Sequence, residues 1–320
     1  MEHRDHSANS INGHHLVVGA GPVGSTTAQL LAEHGTPVTV LTRSGSGPSH
    51  PNITLARGSV TDIDGLRDLA SGAAAIYNCV NPPYHQWPTA WPPMHQALMT
   101  AAEQSGAVLV MMDNLYAFGP QSPMPMHETD QLLATGPKGS TRAAMATELL
   151  AAHHAGRLRA TLARASDFFG PGVKGAMLGE RVVPKIIRGK KISILGALDV
   201  AHHNTYMPDV ARTLVTIATD QRAWGKAWHV PSSATGTQRE NIQALAHAAG
   251  TSPTIGTTPW AAVKAIGLVV PQLRELAEIR YQFDRPWIVD STLTEDTFGL
   301  TATPIEQAAL ATVEWWRARQ

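Results

Sequence analysis

Short apolar runs alternate with helix-like stretches through the first half of the chain. The apolar runs predict buried strands over residues 16–18, 38–41, 53–56, 74–80, 107–112 and 159–165. The stretches between them predict helices over residues 24–34, 64–70, 94–104 and 141–155. Strands that alternate with helices predict an α/β fold built on a doubly wound parallel sheet.

A glycine-rich turn separates the first strand from the first helix. Residues 19–24 read Gly-Ala-Gly-Pro-Val-Gly, which has the spacing Gly-x-Gly-x-x-Gly. In this pattern Gly19 permits the tight turn, Gly21 lets the backbone approach a pyrophosphate, and Gly24 lets the helix pack against the strand. The sequence therefore predicts a Rossmann dinucleotide site, with Pro22 and Val23 as further cofactor-binding residues.

The end of the second strand bears on which dinucleotide binds. Sites for NAD usually carry an Asp or Glu about 20 residues past the glycines, where it binds the ribose 2′-hydroxyl. This chain has Arg43 and Ser44 there and no carboxylate. A guanidinium matches a phosphate through paired donors. We therefore expect NADP(H) as the preferred cofactor, held in part by Arg43 and Ser44, and NAD(H) stays open.

Composition narrows the class of protein. The 320 residues are 43% hydrophobic with a formal net charge of zero, so the overall charge gives no reason to expect nucleic acid or an anionic membrane as a partner. The apolar runs are too short to span a membrane, and the first dozen residues lack the apolar core of a secretion signal. A lone cysteine, Cys79, favours a reducing cytoplasm. The histidines near the start, including His14 and His15, are interpreted as part of a polar leader, and no metal site is expected.

The second half of the chain is less regular. Helices are predicted over residues 178–188, 238–249, 273–281 and 304–319, and a strand over 226–230 returns to the edge of the sheet. We expect a flexible leader over residues 1–13 and a dinucleotide-binding domain over 14–170. Residues 171–320 are expected to form mainly a substrate-binding cap, with 200–232 returning to the sheet. The cap would lie over the carboxyl ends of the strands, where open α/β sheets bind ligands.

Five segments, in order along the chain, carry further motifs. They are residues 58–62 (Gly-Ser-Val-Thr-Asp), 78–82 (Asn-Cys-Val-Asn-Pro), 110–116 (Val-Met-Met-Asp-Asn-Leu-Tyr), 164–172 (Arg-Ala-Ser-Asp-Phe-Phe-Gly-Pro-Gly) and 204–211 (Asn-Thr-Tyr-Met-Pro-Asp-Val-Ala). Over roughly residues 14–235 the chain resembles an extended, here atypical, short-chain dehydrogenase/reductase of the NAD-dependent epimerase/dehydratase family. The resemblance implies that Asp62 contacts adenine and that Asn81 lines the cofactor.

The chain departs from that family in two places. The family's glycine pattern is usually Gly-x-x-Gly-x-x-Gly, which is one residue longer than the pattern here. The family also uses Tyr-x-x-x-Lys with a Ser or Thr from the fifth strand, and those three positions fall on Lys138, Arg142 and Met112. Lys138 and Arg142 keep the spacing of one helical turn. We expect Arg142 to hold the cofactor's ribose or phosphates, and Lys138 to be an acid that titrates near neutral pH beside a second cation. The alternative is that both are solvated charges at a helix start.

Other candidate residues lie at the ends of the fourth and fifth strands. Asp113 is expected to serve as an acid or base if burial raises its pKa, or else as a loop carboxylate or helix cap. Tyr116 is a further candidate acid, although the resemblance matches it to a structural tyrosine of the family, which more often serves packing than chemistry. The remaining candidates are aromatic or amide side chains that would contact the substrate. They are Tyr84, Trp87, Asn114, Phe168, Phe169 and Tyr206.

The expected protein is a cytoplasmic NADP(H)-dependent oxidoreductase with a displaced catalytic triad. It would reduce a carbonyl, enone or imine of a small to medium, largely apolar substrate. Two other classes stay open. One is an epimerase, dehydratase, non-redox isomerase or cyclase that keeps NAD(P) tightly bound, and the other is a non-enzymatic NADP sensor. The partner is expected to be a small-molecule substrate, with no nucleic acid and no membrane, and the resemblance implies pairing into a homodimer through the helices over 94–104 and 141–155.

Overall fold

A sheet of seven parallel strands forms the centre of the protein. The computed structural model describes residues 13–233, 236–268 and 275–319, so most of the leader expected over 1–13 lies outside the described residues. The described strands are β1 (His14–Val18), β2 (Val38–Thr42), β3 (Ile53–Arg57), β4 (Ala73–Asn78), β5 (Val108–Asn114), β6 (Arg159–Ala165), β7 (Asp167–Phe169), β8 (Ile192–Leu195), β9 (Asn204–Tyr206), β10 (Ala227–His229) and β11 (Ile255–Thr258). The order across the sheet is β10-β6-β5-β4-β1-β2-β3, with every neighbouring pair parallel.

Helices cover both faces of this sheet. The described helices are α1 (Pro22–Glu33), α2 (Ile63–Ala70), α3 (Trp87–Ser105), α4 (Pro137–His154), α5 (Val183–Ile187), α6 (Met207–Thr219), α7 (Gln238–Ala249), α8 (Trp260–Gly267), α9 (Tyr281–Asp284), α10 (Thr292–Phe298) and α11 (Ile305–Arg317). Helices α1 and α6 pack together on one face, and α3 packs between α2 and α4 on the other. This arrangement confirms the predicted doubly wound fold.

The alternation of side chains along β1 shows why the sheet is buried on both faces. Leu16 and Val18 point into the core beneath α2, α3 and α4, while Val17 points into the core beneath α1 and α6. Because successive side chains of a strand point to opposite faces, a strand covered on both sides must be apolar at consecutive positions. The three consecutive apolar residues 16–18, which predicted this strand from the sequence, meet that requirement.

The strand order reverses between β1 and β4. From β1 the chain proceeds to β2 and β3 on one side, and then crosses to β4, β5 and β6 on the other. Helices on either side of such a switch point leave a crevice at the carboxyl ends of the two strands. The glycine turn after β1 and the prolines after β4 therefore meet at this crevice.

A second group of elements lies beside the sheet. Short parallel pairs form between β7 and β9 and between β8 and β11. Helix α7 packs against α5 and α11, and it begins with a capping box in which Thr237 and Glu240 exchange hydrogen bonds. β10 is the edge strand beside β6. The division into domains at residue 170 stays a prediction.

Several predicted elements differ from the structure. His14 and His15 belong to β1 rather than to a polar leader, and His15 is buried. The third helix begins at Trp87, seven residues before the predicted start, and includes Pro92 and Pro93. The helix expected over 178–188 is confined to Val183–Ile187. The helix expected over 273–281 is also wrong for its described part, which holds a 3-10 turn at Glu275–Ala277, while residues 273 and 274 lie outside the described residues.

Candidate functional site

A cleft of about 1060 Å³ opens at the carboxyl ends of the central strands. It runs from the glycine turn after β1, past the ends of β2, β4 and β5, to the segment that contains β7. Its lining combines the predicted cofactor residues with an aromatic wall. Among the predicted site residues, the lining includes Gly19, Gly21, Pro22, Val23, Arg43, Ser44, Asn81, Tyr84, Trp87, Met112, Asp113, Asn114, Tyr116, Arg142 and Phe168.

The glycine turn has the geometry that a pyrophosphate requires. Gly19 has a positive φ of 102°, and a Cβ there would lie 2.9 Å from the Cys79 carbonyl oxygen. A Cβ on Gly24 would overlap the Gly19 carbonyl oxygen, whereas Gly21 faces open space. The 12-residue helix α1 begins directly after Gly21 with no acidic residue in its first turn. Its partial positive N-terminal charge therefore faces the cleft at a point where backbone can approach a ligand, and the residues present fit a dinucleotide.

The rim at the end of β2 is polar, and its described residues include no carboxylate. Arg43, Ser44 and Ser46 line the cleft there, and the Ser44 and Ser46 hydroxyls are 2.6 Å apart. Among the described lining residues, carboxylates occur only at Asp113 and Asp167, on β5 and β7. Asp62, which the resemblance assigned to adenine, accepts a hydrogen bond from the Gly65 backbone as the N-cap of α2 and lies outside the described lining.

Asp113 forms the centre of a buried ion-pair cluster. One of its oxygens lies 2.6 Å from Arg142 Nη2 and the other 3.3 Å from Arg164 Nε. Arg142 also donates a hydrogen bond of 2.7 Å to the Met112 carbonyl, and its guanidinium lies 4.8 Å from the centroid of the Trp91 ring. Burial lowers the pKa of Arg164 despite the attraction of Asp113. Asp113 therefore lies within a strand as the shared partner of two arginines, not in a loop or at a helix cap.

Lys138 lies away from the cleft. Its ammonium group donates hydrogen bonds to Glu275 at 2.6 Å and to Glu278 at 2.9 Å, and its side chain is 4% exposed. Burial lowers the pKa of Lys138, but the two carboxylates outweigh burial and raise it above its usual value. The expectation that Lys138 titrates near neutral pH is therefore wrong, because the neighbouring charges are negative rather than positive. Lys138 is also absent from the described lining residues.

Two tyrosines face each other at the substrate end of the cleft. The Tyr84 and Tyr116 hydroxyls are 2.8 Å apart, and the Tyr116 ring stacks on Trp87. Burial raises the pKa of both tyrosines, and the charge of Asp167 raises both further. Both phenols therefore stay protonated at neutral pH and can donate a proton. Tyr84 is half-buried, whereas Tyr116 lies deeper.

A third polar group closes this end of the cleft. Asp167 lines the cleft, and its Oδ2 lies 2.8 Å from Nε2 of the buried His202. The other ring nitrogen of His202, Nδ1, lies 3.1 Å from the Gln282 carbonyl oxygen. The Gln282 side-chain amide makes no well-formed hydrogen bond with the described residues, although it is close enough to the Tyr116 hydroxyl to lower its pKa.

The structure places four of the six predicted substrate residues in the cleft and the other two in the core. Tyr84, Trp87, Asn114 and Phe168 line the cleft. Phe169 and Tyr206 instead pack against each other in the core beside α5 and α7, and neither is a described lining residue. Gly24 also lies behind the lining, where it forms the close helix–strand contact that the glycine pattern predicted.

Sequence reasoning missed Asp167, His202, Gln282 and Trp287. Asp167 stands inside a segment whose resemblance was recognised, so its neighbour Phe168 was a signal that could have led to it. Gln282 and Trp287 line the cleft from the last fifth of the chain, where no motif marks them. His202 belongs to an adjacent pair of histidines, and the sequence offers no sign that the pair lies beside a carboxylate.

Two negative findings apply to the described residues. None of the described helices is long and apolar enough to cross a membrane. Within residues 13–233, 236–268 and 275–319, no group of three or more His, Cys, Asp or Glu side chains is arranged to hold a metal ion.

The doubly wound fold and the glycine turn after β1 are typical of dinucleotide-binding proteins, and a comparison with known families shows which family the chain belongs to. The NAD dependent epimerase/dehydratase family matches residues 15–230, and the chain belongs to that family. The resemblance seen in the motifs is thereby confirmed. A comparison with curated proteins finds no significant match.

Solved structures share the fold over nearly the whole chain. UDP-glucose 4-epimerase from Thermotoga maritima, solved with UDP-glucose, has 18% identity and a TM-score of 0.77 over 96% of this chain and 99% of its own. MoeE5, solved with UDP-glucuronic acid and NAD, has 21% identity and a TM-score of 0.77 over 96% and 100%. A dTDP-glucose 4,6-dehydratase from Streptomyces venezuelae, solved with NAD, has 17% identity and a TM-score of 0.75 over 95% and 97%.

Proposed function

We propose that the protein is an NADP(H)-dependent oxidoreductase that reduces a carbonyl, enone or imine of a small to medium, largely apolar substrate. The observation that carries the proposal is the Tyr84–Tyr116 hydroxyl pair, which lies in the same cleft as the glycine cradle. A protonated phenol beside a hydride donor is what carbonyl reduction requires. Family membership and the NAD-bound neighbours support the redox cofactor itself.

The rim of the cleft at the end of β2 favours NADP(H). A 2′-phosphate carries negative charge, and Arg43 offers a guanidinium with two serine hydroxyls close by. The described rim has no carboxylate that would accept the 2′-hydroxyl of NAD or repel a phosphate. We expect NADPH to bind more tightly than NADH for this reason.

The opposite end of the cleft favours an apolar substrate. The Trp87, Trp91 and Trp287 rings line the cleft together with Met94 and Met112. Aromatic rings and thioethers make contact with apolar groups and adapt to their shape. A ring-bearing or branched apolar substrate would pack against these side chains, with its oxygen or nitrogen directed at Tyr84.

The proton chemistry follows from the tyrosine pair. A nicotinamide cofactor held by the glycine turn and Arg43 would supply the hydride for the substrate carbon. Tyr84 then donates its phenolic proton to the substrate oxygen, and the Tyr116 hydroxyl donates a hydrogen bond that stabilises the phenolate left on Tyr84. Their rings are held by the Trp87 indole, which stacks on Tyr116 and meets Tyr84 edge to face. These contacts orient both hydroxyls before the substrate enters.

Two measurements test this proposal. Titration of the purified protein with NADPH and NADH, followed by fluorescence, should show tighter NADPH binding, and Arg43→Glu should remove that preference. A carbonyl panel should then reveal NADPH oxidation, which Tyr84→Phe lowers by roughly 10²- to 10⁴-fold without weakening NADPH binding. Tyr281→Phe is the matched control, because Tyr281 is not among the described lining residues. If neither nucleotide binds, the proposal is wrong.

An epimerase or dehydratase with retained NAD(P) is the second candidate. Its support is the family itself and the nucleotide-sugar complexes of structures with the same fold. Against it, the cations among the described lining residues are Arg43 and Arg142, and Arg142 is held by Asp113. A nucleotide diphosphate at the substrate end would therefore lack an unpaired cation there. Nucleotide that stays bound through purification, with no net NADPH oxidation, would favour this candidate.

A further inference from the structure

A buried side-chain amide without a partner lies at the substrate end of the cleft. Gln282 is 1% exposed and lines the cleft from the short helix α9. Neither its Nε2 nor its Oε1 has a hydrogen-bond partner among the described residues. Burial of a polar group without a hydrogen bond destabilises the folded chain, so such groups are rare in proteins. The amide therefore offers a donor and an acceptor to a ligand in the cleft.

The side chain of Gln282 faces the tyrosine pair. Burial raises the pKa of Tyr116, and the Gln282 amide opposes that rise as a nearby hydrogen-bond donor. The Tyr116 hydroxyl lies 2.8 Å from that of Tyr84, which the proposed function assigns as the proton donor. A substrate group that pairs with Gln282 would therefore lie beside the carbonyl that is reduced.

Contacts on both sides of Gln282 fix its position. Its main-chain carbonyl oxygen lies 3.1 Å from Nδ1 of the buried His202, and the next residue, Phe283, stacks on the same imidazole with an angle of 7° between the rings. Four residues earlier, Glu278 accepts a hydrogen bond of 2.9 Å from the Lys138 ammonium group. The amide is thus held in place before a substrate enters, which lowers the entropic cost of binding.

The charges around the amide favour a neutral ligand group. Among the described lining residues, the cations are Arg43, at the rim beside β2, and Arg142, which Asp113 holds at 2.6 Å. Asp167 also lines the cleft, and its charge acts on both tyrosines. An anionic group on the substrate would lose its hydration and meet that charge without an unpaired cation among the described lining residues. The partner of Gln282 is therefore expected to be uncharged.

The neutral group that complements a carboxamide is a second amide in the cis form. The N–H and C=O of a lactam lie on one edge of its ring, so they can donate to Oε1 and accept from Nε2 at the same time. We propose that Gln282 is a specificity-determining residue, and that it pairs with a lactam beside the carbonyl that is reduced. The inference rests on the proposed function and narrows its substrate class to ring compounds with that arrangement. The aromatic side chains of the cleft would contact the rest of the ring.

Reduction of isatin and N-methylisatin tests the pairing. Isatin carries a ketone beside a lactam on an aromatic ring, and N-methylation removes the N–H donor but keeps the ketone. Wild type should reduce isatin with a kcat/KM about 10²-fold higher, because a site built to bind an N–H rejects an analogue that lacks it. Gln282→Met keeps the length of the side chain without its donor or acceptor, so most of that preference should disappear. Differences in the reactivity and size of the two ketones are the same for both proteins, so the change in preference measures the amide contact.

Gln238→Met is the matched control. Gln238 is 2% exposed, and its amide also lacks a partner among the described residues, but it is not a described lining residue. This variant should keep the preference for isatin. The melting temperature separates recognition from a structural role. Replacement of an unpaired buried amide by an apolar side chain should leave the melting temperature of Gln282→Met unchanged or raise it. A lowered melting temperature together with a lost preference would overturn the inference, as would a preference that Gln282→Met retains.

Binding without turnover separates the failure of this inference from that of the proposed function. Oxindole has the lactam of isatin but not its ketone, and its binding can be followed by saturation-transfer NMR. Oxindole should bind to wild type better than N-methyloxindole, and Gln282→Met should remove the difference. If this result is obtained but no ketone oxidises NADPH, the proposed function fails and the lactam site stands. If NADPH is oxidised but the two oxindoles bind alike, or neither binds, the inference is wrong and the proposed function stands.

Discussion

Replacement of Asp113 by alanine distinguishes a carboxylate that holds the fold from one that performs chemistry. The substitution removes the shared acceptor of Arg142 and Arg164, whose side chains are each 3% exposed. Two guanidinium groups would then remain buried without a carboxylate between them. Removal of one partner from a buried ion pair typically lowers the free energy of unfolding by about 3 to 5 kcal/mol.

That loss translates into a measurable change in the melting temperature. At roughly 2.1 cal/mol/K per residue, the unfolding entropy of a 320-residue chain is about 0.7 kcal/mol/K. Asp113→Ala should therefore lower the melting temperature by roughly 4 to 7 °C if the whole chain unfolds together. Differential scanning calorimetry of wild type and variant measures this shift directly.

The control for this experiment is an exposed ion pair of similar geometry. Asp64 lies 2.7 Å from Arg67 on α2, but its side chain is 81% exposed. Asp64→Ala should change the melting temperature little, because solvent screens exposed pairs. An Asp113→Ala protein that melts like wild type but has lost NADPH turnover would refute the reasoning and restore Asp113 as a candidate acid or base.

Three further predictions concern the glycine turn, the ion pairs of Lys138 and the dependence of stability on pH. Gly24→Ala should abolish nucleotide binding measured by fluorescence, because the new methyl group overlaps the Gly19 carbonyl oxygen. Lys138→Met should speed hydrogen exchange, followed by mass spectrometry, in residues 275–284 but not in β1. Burial lowers the pKa of His15 and of His229 to about 4, whereas the unfolded chain protonates both near pH 6.5. The free energy of unfolding, measured with urea, should therefore fall as pH falls from 6.5 to 4.

The sheet and the cofactor cradle could be predicted because their signals are local. Apolar runs set the strands, and the spacing of Gly19, Gly21 and Gly24 sets a turn that few other sequences allow. Helix α7, predicted over 238–249, has those bounds in the structure, since Thr237 and Glu240 cap it within one turn. Each of these features depends on residues that are close together in the chain.

The chemistry at the substrate end could not be predicted in the same way. Lys138 has the spacing of a catalytic helix, yet its ammonium group meets Glu275, 137 residues later. His202 meets Asp167 across 35 residues, and Tyr116 meets Tyr84 across 32. A side chain's charge state depends on which groups surround it, and those groups come from distant segments.

The sequence by itself therefore determined the doubly wound sheet, the dinucleotide cradle and the family. Only the tertiary structure decided that Lys138 pairs with two glutamates and that Asp113 is the shared partner of two arginines. It also decided that two tyrosines and an Asp–His pair lie at the substrate end of the cleft. The physical reason is the range of the interactions. Backbone conformation and hydrophobic periodicity are set by neighbours in the chain, whereas protonation and ion pairing are set by neighbours in space.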